Sequence, residues 1–423
     1  MHRRTFLGSL AAGAAALRMR RASAQSKEVV KLGLIGCGWY GGVVLDAAFK
    51  AGGLEVVGVC DPDADHLQKT AQKYAAMQTA RPREVKDWQE LLAIPGLQAV
   101  VIATPPHWHA LPFIEACRRG LDIYCEKPLA YDVREGRAMV DAAKKSGRIV
   151  QVGFQRRQSQ AIRQAAEYIA GGGPGKILAV DAQIHYSPRL ADPTPKAPPA
   201  SLDWEMWCGP APKLPYSEQV GHFNWRLEKN YGNGHLVDWG IHWIDAIRTV
   251  LRLETPRTVQ AAGGLYQLKG RITTPDVLTA HFDFEQVPVV WRHRLIGSPE
   301  YTPETNIGMF FYGEKETVFL NDNRYVVVPA GKDAQRRVVE ASNDAQLAHV
   351  AEFLEAVRTR KPPSCTPEDA HRSTTTVQLA MIALESGGRV EWDGQAEQIR
   401  NNAGAAALLK RDYRAPWTHP STT

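Results

Sequence analysis

A glycine-rich turn between two apolar runs constrains the fold of this 423-residue chain more than any other feature. The first run, 29–35, ends in Gly36-Cys-Gly-Trp-Tyr-Gly41, and after a helical pattern the second run, 54–60, ends at Asp61. This order of strand, turn, helix, strand and acid is that of a βαβ unit whose glycines permit a tight turn and the close approach of a diphosphate. We therefore predict a Rossmann domain over residues 29–152 that binds a nicotinamide dinucleotide.

The acid at the end of the second strand bears on which dinucleotide binds. A carboxylate at this place accepts hydrogen bonds from the adenosine ribose hydroxyls and repels a 2′-phosphate. Asp61 therefore favours NAD over NADP. Arg81 and Arg83 remain open as phosphate partners, because the sequence does not place them.

Patterns further along the chain predict two α/β domains. Strands and helices alternate up to residue 152, which indicates a doubly wound parallel sheet. From residue 153 the strand patterns lengthen, as in a largely antiparallel sheet with one open face. We predict an N-terminal Rossmann domain, a C-terminal α/β domain over 153–390 and a tail over 391–423. The stretch 187–225, rich in Pro and Trp, is interpreted as an ordered loop over the site.

The predicted elements can be given by residue number. In the first domain they are strands at 99–103, 122–125 and 149–152 and helices at 64–75, 110–119 and 133–146. In the second they are strands at 176–186, 258–268, 277–284, 289–295 and 309–312 and helices at 236–251, 345–359 and 367–386.

Residues 1–24 have the pattern of a twin-arginine (Tat) signal peptide. Arg3 and Arg4 precede a short, mildly apolar stretch that ends in the small residues Ala22-Ser-Ala24. An uncleaved amphipathic tail at a lipid surface is the alternative. The signal predicts recognition by the Tat translocase and export of the folded protein, cofactor included, to the periplasm.

Charge and cysteine usage exclude some classes of function. The net charge is +6, and five arginines lie in the first 21 residues, so the rest is close to neutral. It has no basic stripe interleaved with aromatics, so we do not expect nucleic-acid binding. Six scattered cysteines show neither a C-x-x-C motif nor zinc-ligand spacing, so we predict no disulfide and no metal site.

Two further motifs follow predicted strands, at the sheet edge where ligands of open α/β sheets bind. They are Ala103-Thr-Pro-Pro-His-Trp-His109 and Cys125-Glu-Lys-Pro128. A lysine at the second place can hold a reacting hydroxyl and tune its proton transfer. The alternative, a surface lysine in a turn, remains open from the spacing alone.

An acid and an imidazole lie four residues apart in the predicted helix 236–251. Asp238 and His242 therefore share one helix face, where the carboxylate can orient the imidazole as a general base. A purely structural pair and a loose metal site with His235 are the alternatives.

Arginine and tryptophan side chains near these motifs suit sugar hydroxyls and rings. Arg156 follows the last Rossmann strand, and Trp225 and Arg226 precede the helix with the acid and the imidazole. Each of these residues could also have a structural role. Gln155, Arg157, His185 and Tyr186 are weaker candidates.

Taken together, these motifs resemble the Gfo/Idh/MocA oxidoreductases, which include glucose-fructose oxidoreductase and inositol dehydrogenases. The resemblance rests on the glycine turn with Asp61, on Glu126-Lys127-Pro128 and on Asp238-x-x-x-His242. It implies that Lys127 polarises the substrate hydroxyl, His242 is the acid and base, and Asp238 orients the imidazole or the sugar. It also implies a cis bond before Pro128 and a homodimer or homotetramer.

Site residues follow from motif and resemblance together. The predicted catalytic residues are Lys127, Asp238 and His242. The predicted NAD contacts are Gly36, Gly38, Trp39, Tyr40, Gly41, Asp61, Thr104, Pro105, His109, Glu126 and Lys127. The predicted sugar contacts are Lys127, Arg156, Trp225, Arg226, Asp238 and His242. His109 is preferred because Pro106 stands where similar sequences carry asparagine.

Export bears on the predicted reaction, because no soluble NAD pool is expected outside the cytoplasm. We predict an exported NAD-dependent oxidoreductase that acts on a hydroxyl of a sugar or sugar derivative and recycles a tightly bound cofactor. The alternative is a glycoside hydrolase that oxidises the sugar transiently, eliminates the leaving group, adds water and reduces the product again. A third hypothesis is a non-catalytic sugar sensor that retains NAD.

Overall fold

The computed structural model describes residues 29–297, 306–331 and 333–421. The predicted signal peptide, 1–24, lies outside the described residues. No helix in the described part of the chain is long and apolar enough to cross a membrane.

The N-terminal domain is a parallel sheet with helices on both faces, as predicted. Its elements are β1 Val30–Ile35, α1 Trp39–Ala51, β2 Leu54–Cys60, α2 Ala64–Ala75, β3 Arg83–Val85, α3 Trp88–Leu92, β4 Ala99–Ile102, α4 Ala110–Arg118, β5 Asp122–Cys125, α5 Val133–Ser146 and β6 Val150–Val152. The strand order is β3-β2-β1-β4-β5-β6, and every neighbouring pair is parallel. Because β1 and β4 are adjacent and lead in opposite directions across the sheet, the crevice that binds ligands lies at their carboxyl ends.

The C-terminal domain has a ten-stranded mixed sheet in the order β14-β13-β12-β11-β7-β10-β9-β8-β15-β16. Its strands are β7 Ile177–His185, β8 Thr258–Gly264, β9 Val277–Asp283, β10 Pro288–Arg294, β11 Ile307–Gly313, β12 Glu316–Leu320, β13 Arg324–Pro329, β14 Arg337–Glu340, β15 Val390–Asp393 and β16 Gln398–Ile399. Among the described strands of this second sheet, only β7 and β10 pair in parallel. Burial alternates along β9 and β10, so one face packs on the core and the other faces outward.

The helices that follow the first domain are α6 Gln160–Ala170, α7 Trp204–Cys208, α8 Ile241–Leu251, α9 Ala345–Thr359, α10 Pro367–Glu385 and α11 Ala403–Ala407. The predicted helix over 236–251 is in part different. Residues Leu236–Gly240 form a π-helical turn, and regular α-helix begins only at Ile241. Such turns are rare and frequent at functional sites.

The segment 187–227, here called the strap, runs from β7 across the Rossmann domain. Ala64 N donates to Ser201 O at 2.9 Å and Asp203 N donates to Pro62 O at 3.0 Å, so the strap is hydrogen-bonded to the loop after β2. Trp204 and Trp207 stack with ring centroids 4.6 Å apart and give the strap a small core of its own. The structure therefore places this Pro- and Trp-rich stretch over the site, as an ordered covering.

Candidate active site

The glycine turn after β1 has the geometry of a diphosphate cradle. Gly36 has φ +97°, and a Cβ there would lie 2.7 Å from the Ala103 backbone. A Cβ on Gly41 would lie 2.0 Å from Gly36 O, whereas a Cβ on Gly38 would meet no atom within 4 Å. The outer glycines are thus required by packing, and the middle one borders open space at the N-terminus of α1, where backbone N–H groups and the helix dipole favour an anion.

Asp61 ties this turn to the loop that follows β2. Its carboxylate accepts hydrogen bonds from Cys37 N at 2.7 Å and Asp63 N at 2.9 Å. Burial raises the pKa of Asp61 to about 6, although these hydrogen bonds oppose the rise. The side chain borders the cleft, in the place where a ribose diol would donate to it.

The cleft itself lies between the Rossmann domain and the strap and contains about 1120 Å³ of atom-free space, its open mouth included. Trp39, Tyr40, Thr104 and Pro105 line it from the Rossmann side, together with Gly36, Gly38 and Asp61. Trp225 and Arg226 line it from the strap. The structure therefore brings most of the predicted NAD contacts together with two of the predicted sugar contacts.

Four predicted NAD contacts do not line this cleft: Gly41, His109, Glu126 and Lys127. The clearest of these is His109. Its ring is fully buried, with Nε2 2.9 Å from Thr104 O and Nδ1 2.8 Å from Pro128 O. Burial lowers the pKa of His109 although these backbone carbonyl groups oppose the shift, and the ring connects the loops after β4 and β5. Its position at a strand end indicated the correct loop but not the side of the loop on which the ring lies.

Glu126 also does not line the cleft in the free protein, and its contact with NAD stays a prediction. Its side chain lies behind Lys127, where Oε2 accepts from Lys127 N at 3.2 Å and Oε1 is buried with no hydrogen-bond partner. Burial raises the pKa of Glu126 to about 8. This shift favours the protonated form of the carboxyl group at neutral pH.

Lys127 and Asp238 form the centre of the site, although they are 111 residues apart in sequence. Lys127 Nζ donates to Asp238 Oδ1 at 2.8 Å and to Asp238 O at 2.6 Å. Arg226 Nε lies 3.2 Å from Asp238 Oδ2. Burial alone would raise the pKa of Asp238, but these two cations outweigh it and hold the pKa below its usual value. The bond before Pro128 is cis, as the resemblance implies.

His242 does not donate the predicted hydrogen bond to Asp238, whose carboxylate oxygens lie against Lys127 and Arg226. The imidazole is 4% exposed, and its Nδ1 is buried without a partner. Burial, with the positive charges of Arg156 and Lys127, holds the pKa of His242 well below its usual value. The ring is therefore neutral in the free protein and has a nitrogen lone pair available to accept a proton.

Arg156 lies at the back of the site. Its guanidinium binds both carboxylate oxygens of Asp322, at 2.7 Å and 2.9 Å, and lies 4.7 Å from the Trp243 ring centroid. These bonds use two of the five guanidinium N–H groups and hold the cation near His242, and the sugar contact of Arg156 stays a prediction.

The metal hypothesis for His235, Asp238 and His242 fails on geometry. The three side chains are absent from the groups of described residues whose ligand atoms lie within 4.8 Å of one another. His235 Nε2 instead lies 3.3 Å from Ile184 O. The phosphate role left open for Arg81 is also not supported, because Arg81 Nε donates to Glu84 at 3.1 Å.

Sequence reasoning missed several residues that line the cleft. Met206, Trp207, His222 and Phe223 reach it from the strap, and His66 reaches it from α2. The composition of the strap indicated a cover, but no spacing within it shows which side chains turn inward.

Comparisons with known proteins agree with this geometry. Residues 30–154 match a family model described as an oxidoreductase family with NAD-binding Rossmann fold. Residues 185–263 and 322–419 match the C-terminal α/β domain of the same family. The chain belongs to the GFO/IDH/MocA oxidoreductase family. NAD is therefore the cofactor of this chain.

Relatives in the GFO/IDH/MocA family differ in how much of the chain they match. The NAD-dependent scyllo-inositol 2-dehydrogenase of Bacillus subtilis is 35% identical over 330 residues, which is 74% of this chain and 83% of the relative. Levoglucosan dehydrogenase of Pseudarthrobacter phenanthrenivorans is 32% identical over 41% of this chain, and the chain spans only 38% of that relative's length. An aldose-aldose oxidoreductase from Caulobacter crescentus, crystallised with glycerol, has the same fold at 17% identity, with a TM-score of 0.67 over 86% of this chain and 100% of its own.

Proposed function

We propose that this protein is an exported NAD-dependent oxidoreductase that acts on a CH–OH group of a sugar or sugar derivative and keeps its cofactor bound between turnovers. The observation that carries the proposal is the arrangement of Lys127, Asp238 and His242 beside a dinucleotide cleft that the strap covers. The names of family relatives support the substrate class, since they include dehydrogenases of inositol and levoglucosan.

The geometry suggests how the chain's own residues handle the reacting hydroxyl. Lys127 uses two of its three N–H groups on Asp238, so the third is free to donate to the substrate oxygen. Asp238 and Arg226 fix the ammonium in place. The neutral His242 accepts the hydroxyl proton while the hydrogen on carbon leaves as hydride. NAD, when bound, supplies the hydride acceptor.

The strap supports the retention of the cofactor. It contributes one wall of the dinucleotide cleft and is hydrogen-bonded to the loop after β2, so these contacts would slow the release of NAD. A protein outside the cytoplasm needs such retention, because a released NAD would not be replaced. Reduction of a second sugar by the same bound cofactor would then complete the cycle.

The reaction is tested with untagged protein purified without added NAD. A panel of aldoses, inositols and aryl glycosides is added, and the near-ultraviolet absorbance of reduced nicotinamide is followed together with released aglycone. Reduction of the bound cofactor with formation of a keto-sugar is expected. Release of aglycone without net reduction would instead establish the glycosidase, and bound NAD with neither signal would establish the sensor.

Export is tested separately in the host cell. Replacing both arginines of the signal, Arg3→Lys with Arg4→Lys, should leave the protein in the cytoplasm, whereas the unchanged chain should appear in the periplasmic fraction. Periplasmic protein from the double variant would contradict the Tat part of the proposal and leave the chemistry untouched.

A further inference from the structure

Two histidines and an aspartate meet at the place where the strap crosses the Rossmann domain. Asp63 is the N-cap of α2, His66 lies in the first turn of that helix, and His222 comes from the strap, 159 residues after Asp63. One ligand atom from each side chain lies within 4.8 Å of the other two. From this arrangement we propose a binding site for a divalent transition-metal ion of the zinc class, which fastens the strap over the NAD cleft.

The three side chains of the cluster lie close enough together to share one ion. His222 Nε2 lies 2.8 Å from Asp63 Oδ2, and the rings of His222 and His66 are 4.3 Å apart between centroids. Two imidazoles and one carboxylate are a common ligand set for Zn²⁺ and related ions. Three protein ligands leave a coordination position for water.

Protonation and local charge favour a cation here. Two protonated imidazoles at this separation would repel each other, and burial together with His66 holds the pKa of His222 below its usual value. A neutral imidazole offers a nitrogen lone pair to a metal ion, and the Asp63 carboxylate adds a negative charge. The positive end of the α2 dipole opposes a cation, but Asp63 and Asp65 lie in this first turn and offset it.

The position of the cluster gives the ion a structural consequence. Asp63 N donates to Asp61, the predicted ribose ligand, and both His66 and His222 border the NAD cleft. Asp63 is buried whereas the histidines are partly exposed, so an ion can reach the site through the mouth of the cleft. A bound ion would join α2 to the strap and hold the cleft shut at its adenosine end.

A second cluster of carboxylate and imidazole side chains already has an arginine at its centre. Asp132, Glu135 and His419 also lie within 4.8 Å of one another. There Arg411 Nε donates to Glu135 at 2.8 Å and Arg411 N donates to Asp132 at 3.0 Å. That cluster already contains its own cation, so the ion is assigned to the strap crossing.

The proposal is tested by metal binding to untagged holoprotein. The protein is stripped with a chelator, and Zn²⁺ affinity is measured by competition with a chromophoric chelator, with Co²⁺ as a spectroscopic substitute. We expect one Zn²⁺ per chain and visible ligand-field absorption from Co²⁺. His66→Gln and His222→Gln should each weaken binding by about 100-fold or more. His419→Gln is the matched control and should retain full affinity.

Each other outcome overturns part of the proposal. No binding at micromolar free Zn²⁺, or affinity unchanged in both His66→Gln and His222→Gln, would remove the site, and loss in His419→Gln would move it to the C-terminal cluster. Asp63→Asn keeps a helix cap and loses the charge, so it should weaken Zn²⁺ binding without unfolding α2. Chelation should also speed NAD release from the unchanged protein. If Zn²⁺ binds but chelation does not speed NAD release, the metal site would stand and its role in fastening the strap would be contradicted.

Discussion

The two ends of the NAD cleft are built from different chemistry. At the adenosine end the strap supplies aromatic and imidazole side chains such as Trp207, His222 and Phe223, hydrogen-bonded or packed onto the Rossmann domain. At the other end Lys127, Asp238 and Arg226 form a buried chain of charges beside a neutral histidine. The first set of side chains suits retention of the bound cofactor, and the second suits proton transfer from the substrate. Substitutions should therefore be able to change the retention of NAD and the chemical step separately.

The largest effect is expected from Lys127→Met at the reacting end. Without the ammonium the substrate hydroxyl is neither held nor polarised, so kcat should fall by about a thousandfold while NAD remains bound. Steady-state kinetics and the NAD content of the variant measure this. Lys144→Met, an exposed lysine on α5, is the control; a Lys127→Met variant with near-normal kcat would remove Lys127 from the chemistry.

Asp238→Asn should cost about 3 kcal/mol of stability at neutral pH, because it leaves buried cations uncompensated. The folded pKa of Asp238 is depressed, so its contribution is full above the unfolded pKa of about 3.8 and is lost as the pH falls through the folded pKa. In urea unfolding, the free energies of unfolding of the wild type and of Asp238→Asn should therefore become equal at acid pH. Asp46→Asn, in a surface pair with Lys73, should cost under about 1 kcal/mol, and equal losses in both variants would contradict the account.

Glu126→Gln should change the pH dependence of stability by about 2 kcal/mol. The folded pKa, about 8, is above the unfolded value of 4.5, so the folded state binds the extra proton and the wild type loses stability as pH rises across that window. Glutamine removes the loss, so the variant should gain relative to the wild type from mildly acid to mildly alkaline pH. The exposed Glu285→Gln should show no such trend, and a flat difference for Glu126→Gln would mean that Glu126 is ionised in the fold.

Trp225→Ala tests the holding end and has the smallest expected effect. Its ring lies 4.3 Å from the Arg226 guanidinium and borders the cleft, so truncation should speed NAD release about tenfold, which corresponds to about 1.4 kcal/mol. Exchange of the bound cofactor for isotopically labelled NAD gives the rate. Tyr266→Ala, which removes an exposed aromatic ring outside the cleft, is the control. Equal rates of NAD release from the two variants would mean that Trp225 of the strap does not contribute to retention.

The Rossmann domain could be predicted closely because its signals are local. Helices α2 and α5 begin after the N-caps Asp63 and Asp132, and their predicted bounds agree with the structure to the residue. Strand β3 was missed because it has three residues, two of them charged. Strands β12 to β14 and helix α6 were missed because only their pairing and packing in the second domain define them.

The sequence predicted which residues form the centre of the site, but not which of their side chains contact each other. Lys127, Asp238 and His242 stand in motifs, yet only the fold brings Lys127 and Arg226 onto the two oxygens of Asp238. That pairing takes Asp238 away from His242, although the two are four residues apart. His109 shows the same limit, since a residue's place at a strand end does not say which way its ring turns.

The central claim is that the strap holds NAD while chemistry proceeds at the other end. It is tested most directly by exchange of the bound cofactor. Dialysed protein is mixed with an excess of isotopically labelled NAD, and the label on the protein is followed with and without the sugar that reduces the bound nicotinamide. Exchange far slower than that reduction is predicted, and label that enters the protein as fast as the sugar reduces the cofactor would contradict the claim.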